Sequence, residues 1–224
     1  MARAPISVVI PTLDAERALV ALMADLAPGA DLLREVVVSD GGSSDATVAA
    51  ARGADAAAIV GPPGRGGQIA RGCVAAGGEW IWILHADTGL PPGWPEAARR
   101  HMARGGAGWA RLAFRSEAPA ARRVAAWANW RSRRLGMPYG DQGLLLRRSL
   151  LASAGGYEDV PLMEDVRLVR RLRGQLREMD MTVTTSAARY EREGWARRGA
   201  RNLGLMARHA AGADPHDLAA KYRR

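Results

Sequence analysis

Lysine is nearly missing from this chain: among 32 lysines and arginines, Lys221 is the single lysine. A phosphate-binding P-loop needs a Gly-Lys-Ser/Thr step, so that kind of nucleotide site is excluded. Cys73 is the lone cysteine, which rules out an internal disulfide framework and a cysteine-based zinc site. The histidines, His85, His101, His209 and His216, show no metal-ligand spacing. No run of about 18 apolar residues occurs, so no membrane-spanning helix is expected. The chain enters the strand-like segment Ile6-Ser7-Val8-Val9-Ile10 without the apolar stretch of a signal peptide, and the expectation is a cytoplasmic protein. A glycine-rich turn is also absent where a dinucleotide fold would carry Gly-x-Gly-x-x-Gly. The first strand ends instead in Pro11-Thr12-Leu13-Asp14, which speaks against NAD or FAD.

What the chain has is arginine, at a formal net charge of +9. Arginine suits planar, bidentate recognition of phosphate and carboxylate, although a GC-rich genome supplies the same bias without function. The arginines are dispersed and no nucleic-acid motif accompanies them, so nucleic acid is not an expected partner. A length of 224 residues fits one domain with a helical extension at its end.

The first half alternates strand-like and helix-like segments. Strands are expected at 8–10, 36–39, 56–60 and 80–84, and helices at 16–26, 44–52 and 67–76. That alternation implies βαβ units and a mostly parallel, right-handed sheet flanked by helices. In the second half, helices are expected at 94–103, 118–135, 163–173 and 195–211, and strands at 108–114, 140–147 and 182–190. The organisation read from this is one domain over 1–224, with a nucleotide-binding half (1–90), an acceptor half (91–190) and a C-terminal helical segment (191–224).

Acidic residues stand where apolar runs stop. Asp40 ends Val36-Val37-Val38-Ser39, and Asp87 follows Trp80-Ile81-Trp82-Ile83-Leu84-His85-Ala86. Buried parallel strands of that kind deliver side chains to the C-terminal edge of a sheet, where ligands of open α/β sheets bind. Carboxylates gathered there in a basic protein suggest a divalent metal and a phosphorylated ligand. In Asp40-Gly41-Gly42-Ser43-Ser44-Asp45 a serine is expected to cap the next helix, leaving Asp40 to accept hydrogen bonds from a base or ribose. Arg65, set among Gly64, Gly66 and Gly67 before a helix, is a candidate diphosphate grip; a solvated loop explains that segment equally well. His85 and Asp87, one residue apart at a strand end, should project to one side, and Asp87 suits Mg²⁺ or Mn²⁺. Glu164-Asp165 opens a helix whose residues 162, 166, 169 and 172 form an apolar face. The helix dipole favours an anion there, the form that accepts a proton from a hydroxyl. Asp141 and Gln142, in Gly140-Asp141-Gln142-Gly143, are candidates for contact with an acceptor, or members of an ordinary turn.

Together Val8-Val9-Ile10-Pro11-Thr12-Leu13, Asp40 to Asp45, His85 to Thr88 and Glu164-Asp165 resemble a family-2 glycosyltransferase of the GT-A fold. With Gly64-Arg65-Gly66-Gly67-Gln68 and Asp214-Pro215-His216-Asp217-Leu218, the resemblance narrows to a small bacterial subgroup. It implies a nucleotide-sugar donor carrying UDP or GDP, a divalent Mn²⁺ or Mg²⁺, and inversion at the anomeric carbon. On that resemblance Pro11, Thr12, Asp14 and Asp40 line the donor pocket with Arg65 and His85 beside them. Asp87 matches the metal-binding last Asp of the family's Asp-x-Asp motif. Asp165 matches the general base, and Glu164 positions it or touches the acceptor. His85 stands where the motif has its first Asp, and Ala15 where many relatives have Glu.

Two other classes compete. A nucleotidyltransferase would carry a basic glycine-rich loop after its first strand, which Pro11-Thr12-Leu13-Asp14 is not. A non-catalytic nucleotide-binding protein of the same fold would explain His85. The segment holding Arg122, Arg123, Trp127, Trp130, Arg131, Arg133 and Arg134 would suit peripheral contact with an anionic inner-membrane surface. Tryptophans in the core and arginines in solvent is the plainer expectation.

Overall fold

The computed structural model describes residues 4–222, apart from the side chains of His216, Ala220, Lys221 and Tyr222. The His216 part of the C-terminal motif, and residues 1–3 and 223–224 of the expected domain, therefore lie outside the described residues. Seven strands, β1 (Ile6–Thr12), β2 (Leu33–Asp40), β3 (Ala57–Val60), β4 (Trp80–Ile83), β5 (Ala107–Phe114), β6 (Leu144–Arg147) and β7 (Leu176–Thr185), form one sheet. Its order is β3-β2-β1-β4-β6-β5-β7. Only β6 runs against its neighbours, β4 and β5; every other pairing is parallel.

Helices cover both faces. They are α1 (Glu16–Leu26), α2 (Thr47–Gly53), α3 (Arg65–Ala75), α4 (Trp94–Arg104), α5 (Pro119–Leu135), α6 (Arg148–Ser153), α7 (Glu164–Arg171), α8 (Ala188–Glu193), α9 (Trp195–Ala210) and α10 (Pro215–Tyr222). Because strand side chains alternate in direction, β1, β2 and β4 feed two cores. Val8, Val38 and Trp82 pack on one face with Leu19, Leu22 and Trp94. Val9, Val37 and Ile83 pack on the other with Ile69 and Leu168. Covered on both sides, β4 is buried at every residue, which is why Trp80-Ile81-Trp82-Ile83 shows no polar alternation.

Two strand expectations are corrected. Gly140–Gln142 is a 3-10 turn, and the strand proper is only Leu144–Arg147. The late strand lies at Leu176–Thr185, earlier than expected, and 188–193 is the short helix α8. The tryptophans of α5 also depart from expectation. Trp127 and Trp130 are each 46% exposed and stack on one another at 5.0 Å, whereas Arg131 is buried beneath the Tyr139 ring. The expected apolar face at 162, 166, 169 and 172 is present, with all four residues buried. Among the described residues no helix is long and apolar enough to cross a membrane.

Candidate functional site

The exits of β1, β2, β4 and β7 meet at one edge of the sheet. Because β6 is reversed, its entry turn, Gly140–Gln142, arrives at the same edge. A cleft of about 1030 Å³ opens there, lined among others by Pro11, Thr12, Asp14, Arg65, His85, Asp87 and Asp141. A pocket of about 220 Å³ shares Arg65, His85 and Asp141 with it and adds Gly140 and Asp165.

Asp40 lies beneath the cleft, fully buried. Its oxygens accept from Thr12 Oγ1 at 2.8 Å, Ser43 Oγ at 2.5 Å, Ser43 N at 2.7 Å and Gly42 N at 2.8 Å. Burial alone would raise its carboxyl, but the hydrogen bonds from Ser43, Thr12 and Gly42 overcome that and hold it below the ordinary range. The carboxylate thus ties the β1 and β2 exits together, a task the sequence did not suggest. Neither serine caps α2; Asp45 instead accepts from Thr47 N at 3.0 Å. Asp14, exposed and with a left-handed φ of 47°, accepts from Ser44 N at 2.7 Å. Gln68, read from the sequence only as part of the glycine-rich segment, is buried and donates to Thr12 O at 2.6 Å and Ser39 O at 3.0 Å.

Asp87 sits in the turn after β4. Its Oδ2 accepts from Thr185 Oγ1 at 2.9 Å and Ser186 N at 3.2 Å, and among the described residues none donates a hydrogen bond to its Oδ1. Thr185 lies 98 residues along the chain, so no local signal marks it as the seat of Asp87. His85 lines the same cleft as Asp87 and its ring abuts Gly140: a Cβ on Gly140 would lie 2.6 Å from His85 Nε2 and 3.5 Å from Asp165 Oδ2. Burial, with Arg65 nearby, pushes the imidazole down to about 4, against the pull of Asp87 and Asp165. Its Nε2 is buried and has no hydrogen-bond partner among the described residues.

Glu164 and Asp165 open α7 directly after Met163, whose φ of 66° is left-handed. Such backbone costs a non-glycine residue about 1 kcal/mol or more. It is held because the Met163 side chain is buried with Leu162, Val166, Leu205 and Leu218. Asp165 accepts from Gly140 N at 2.7 Å and Val166 N at 2.7 Å. Glu164 is 1% exposed and faces away from the small pocket, its Oε1 accepting from Arg65 Nε. Burial pushes its carboxyl up while Arg65 counters that shift.

Asp141 and Gln142 separate. Asp141 faces the cleft, whereas Gln142 is buried at 1% exposure and points inward. Gln142 Oε1 accepts from Ser132 Oγ at 2.7 Å, Tyr139 N at 3.2 Å and Arg131 Nη2 at 3.3 Å, and its Nε2 donates to Ala110 O at 3.1 Å. The expected acceptor contact of Gln142 is therefore corrected: this amide fastens the turn to α5 and β5.

Burial first, then the nearby Asp165, pushes the Asp141 carboxyl up to about 6 from its usual 3.8, against the pull of Arg131 and Arg65. Raised in the fold, this carboxyl keeps its proton through that interval, so its ionisation costs stability as pH climbs through about 6. Asp141→Asn should accordingly raise the melting temperature of the metal-free protein near about pH 8 and leave it almost unchanged near about pH 4. Equal effects at both pH values in thermal melts would refute the shift.

The donor set fits a divalent cation of the Mg²⁺ or Mn²⁺ kind. Such ions keep waters and take one or two protein carboxylates plus substrate phosphate oxygens. Asp87, with an oxygen to spare at the mouth of the cleft, supplies the carboxylate. Among the described residues no group of three or more His, Cys, Asp or Glu forms a ready-made cage. Arg65, Arg189, Arg192 and Arg198 line the same cleft as cations facing it.

A family model described as glycosyl transferase family 2 matches residues 7–144. No curated protein matches the chain. Among solved structures, glucosyl-3-phosphoglycerate synthase from Mycobacterium tuberculosis, in complex with Mn²⁺, UDP and glucosyl-3-phosphoglycerate, is 20% identical. It aligns over 81% of this chain and 70% of its own, with a TM-score of 0.57. S. aureus TarS 1-349 is 16% identical over 82% of this chain and 60% of its own, with a TM-score of 0.63. The mannosyltransferase PcManGT from Pyrobaculum calidifontis, in complex with GDP-Man and Mn²⁺, is 20% identical over 96% of this chain and 67% of its own, with a TM-score of 0.68. At these identities the likeness establishes a shared GT-A-like fold.

Proposed function

The chain belongs to glycosyl transferase family 2, and on that premise we propose that it moves a sugar from a nucleotide-sugar donor to an acceptor hydroxyl, with inversion. The observation that carries this reading is the meeting of Asp87, Asp141, Asp165 and Arg65 around one connected cleft at the exit edge of the sheet. UDP and GDP-Man in the structural neighbours make a UDP- or GDP-sugar the donor class to test.

Pro11, Thr12 and Asp14 form the nucleoside wall of the cleft, standing on the β1–β2 tie made by Asp40. Arg65 meets the diphosphate as a planar, permanently charged donor. Asp87 would hold the divalent cation, which, when bound, supplies Lewis-acid neutralisation of charge on the departing diphosphate. Asp165 takes the proton from the acceptor hydroxyl as that oxygen attacks the anomeric carbon. Its two backbone hydrogen bonds, from Gly140 and Val166, hold the carboxylate at the pocket that Asp165 lines. Glu164, buried behind the cleft, anchors Arg65 and thereby ties the start of α3 to the start of α7. His85, neutral and wedged against Gly140, fills the space beside the base.

Calorimetric titration with UDP and GDP, each with Mn²⁺, Mg²⁺ or EDTA, tests the reading. One nucleotide should bind, and bind more tightly with metal; failure of both to bind would overturn it. Gly140→Ala tests the geometry, since the added methyl would meet His85 Nε2 at 2.6 Å and press toward Asp165. Displacing a reacting group by about 1 Å costs on the order of 100-fold, so donor turnover should fall by about that factor with the melting temperature little changed. Turnover at the wild-type rate would show that His85 and Asp165 tolerate the crowding.

A further inference from the structure

Resting on the transferase reading, we propose that the acceptor is an amphiphilic alcohol, its apolar tail lying in the groove between α5 and α9 while its hydroxyl reaches Asp165. The groove measures about 550 Å³. Leu112 and Ala128, both buried, make its floor, and Trp127 and Leu203, 46% and 53% exposed, stand as its walls.

Two packed helices ordinarily close such a gap with interlocking side chains. Here α9 presents Ala196, Gly199 and Ala200 to the groove, at the spacing that puts them on one side of a helix. A Cβ built on Gly199 meets nothing within 4 Å. The space is thus left by the sequence itself. Concave, mostly apolar sites of this size are characteristic of small-ligand binding.

Continuity with the reacting centre identifies the occupant. Tyr139, Asp141 and Tyr190 line both this groove and the pocket containing Asp165, and Asn202 and Met206 do the same. A chain lying between the helices therefore has its head at Asp141 and Asp165. Pro11, Thr12 and Asp14, the donor side, do not line the groove. A flat bilayer would touch Trp127 and Leu203 but would not reach the recessed Leu112 and Ala128, so the groove fits one tail rather than a membrane surface.

The test compares n-octyl β-D-glucoside, below its micelle concentration, with methyl β-D-glucoside by calorimetry, on the wild type, Gly199→Phe and Leu203→Glu. Burying even two methylenes supplies about tenfold in affinity, so the octyl compound should bind at least that much more tightly. Gly199→Phe, which fills the groove, and Leu203→Glu, a change at an exposed wall, should each weaken octyl binding about tenfold. Mn²⁺-dependent nucleotide binding, measured on the same samples, should not change. Equal binding of the two glucosides, or octyl binding indifferent to both variants, overturns the groove assignment. Sedimentation with anionic vesicles that survives Gly199→Phe, without octyl glucoside binding, overturns it in favour of a bilayer contact. Absence of nucleotide binding in the wild type is a separate failure, that of the transferase reading, and removes the acceptor role with it.

Discussion

Asp165→Asn should abolish sugar transfer while leaving donor binding within about twofold of the wild type, because a positioned general base contributes about 10²–10⁴ in rate and little to ground-state affinity. The substitution keeps the size of the side chain and removes its basicity. It also places an amide NH₂ where the carboxylate now faces backbone N–H groups from Gly140 and Val166, so one of those two hydrogen bonds is lost. A net hydrogen bond is worth about 1 kcal/mol, which should appear as a small drop in melting temperature and no loss of fold. Single-turnover transfer with radiolabelled donor, beside donor titration, separates the two effects. Transfer at the wild-type rate would remove Asp165 from the chemistry.

Asp87→Ala should have the opposite signature. Nucleotide affinity in Mn²⁺ should fall about 10- to 100-fold, to the level the wild type shows in EDTA, as one charge-assisted metal contact is lost. Asp87 also receives Thr185 Oγ1 and Ser186 N, so alanine frees the end of β7 as well. Asp87→Asn distinguishes the two tasks, since the amide oxygen still accepts those bonds but lacks the charge. If the asparagine variant retains full Mn²⁺-dependent binding, the residue is a seat for β7 and the cation is held elsewhere.

Much of this arrangement was legible because it is local. Apolar runs that stop at Asp40 and beside Asp87 mark strand exits, and helical periodicity placed Glu164 and Asp165 at the start of α7. The direction of β6 was not legible, since Leu144-Leu145-Leu146 reads the same whichever way a doubly covered strand runs. Gln142 beside Asp141 looks like a pair of site residues; its inward turn depends on Ala110 and Ser132, which only the folded chain brings near. Trp127 and Trp130 lie three residues apart on α5, and periodicity alone cannot distinguish an apolar stripe facing the sheet from one left half exposed. The seat of Asp87 on β7 is a contact 98 residues long and leaves no trace in either segment.

The reversed strand also sets an order of assembly. β4 ends at Ile83, but the strand that closes its far edge begins only at Leu144. A sheet formed by β1 to β4 before that segment is synthesised would end on Trp80-Ile81-Trp82-Ile83, with one side of that strand unpaired. An apolar strand bearing free N–H and C=O groups is a template for another chain. A ribosome stalled between these two points, or a fragment cut there, would therefore leave this apolar edge open, and the arrival of four residues, Leu144–Arg147, conceals it.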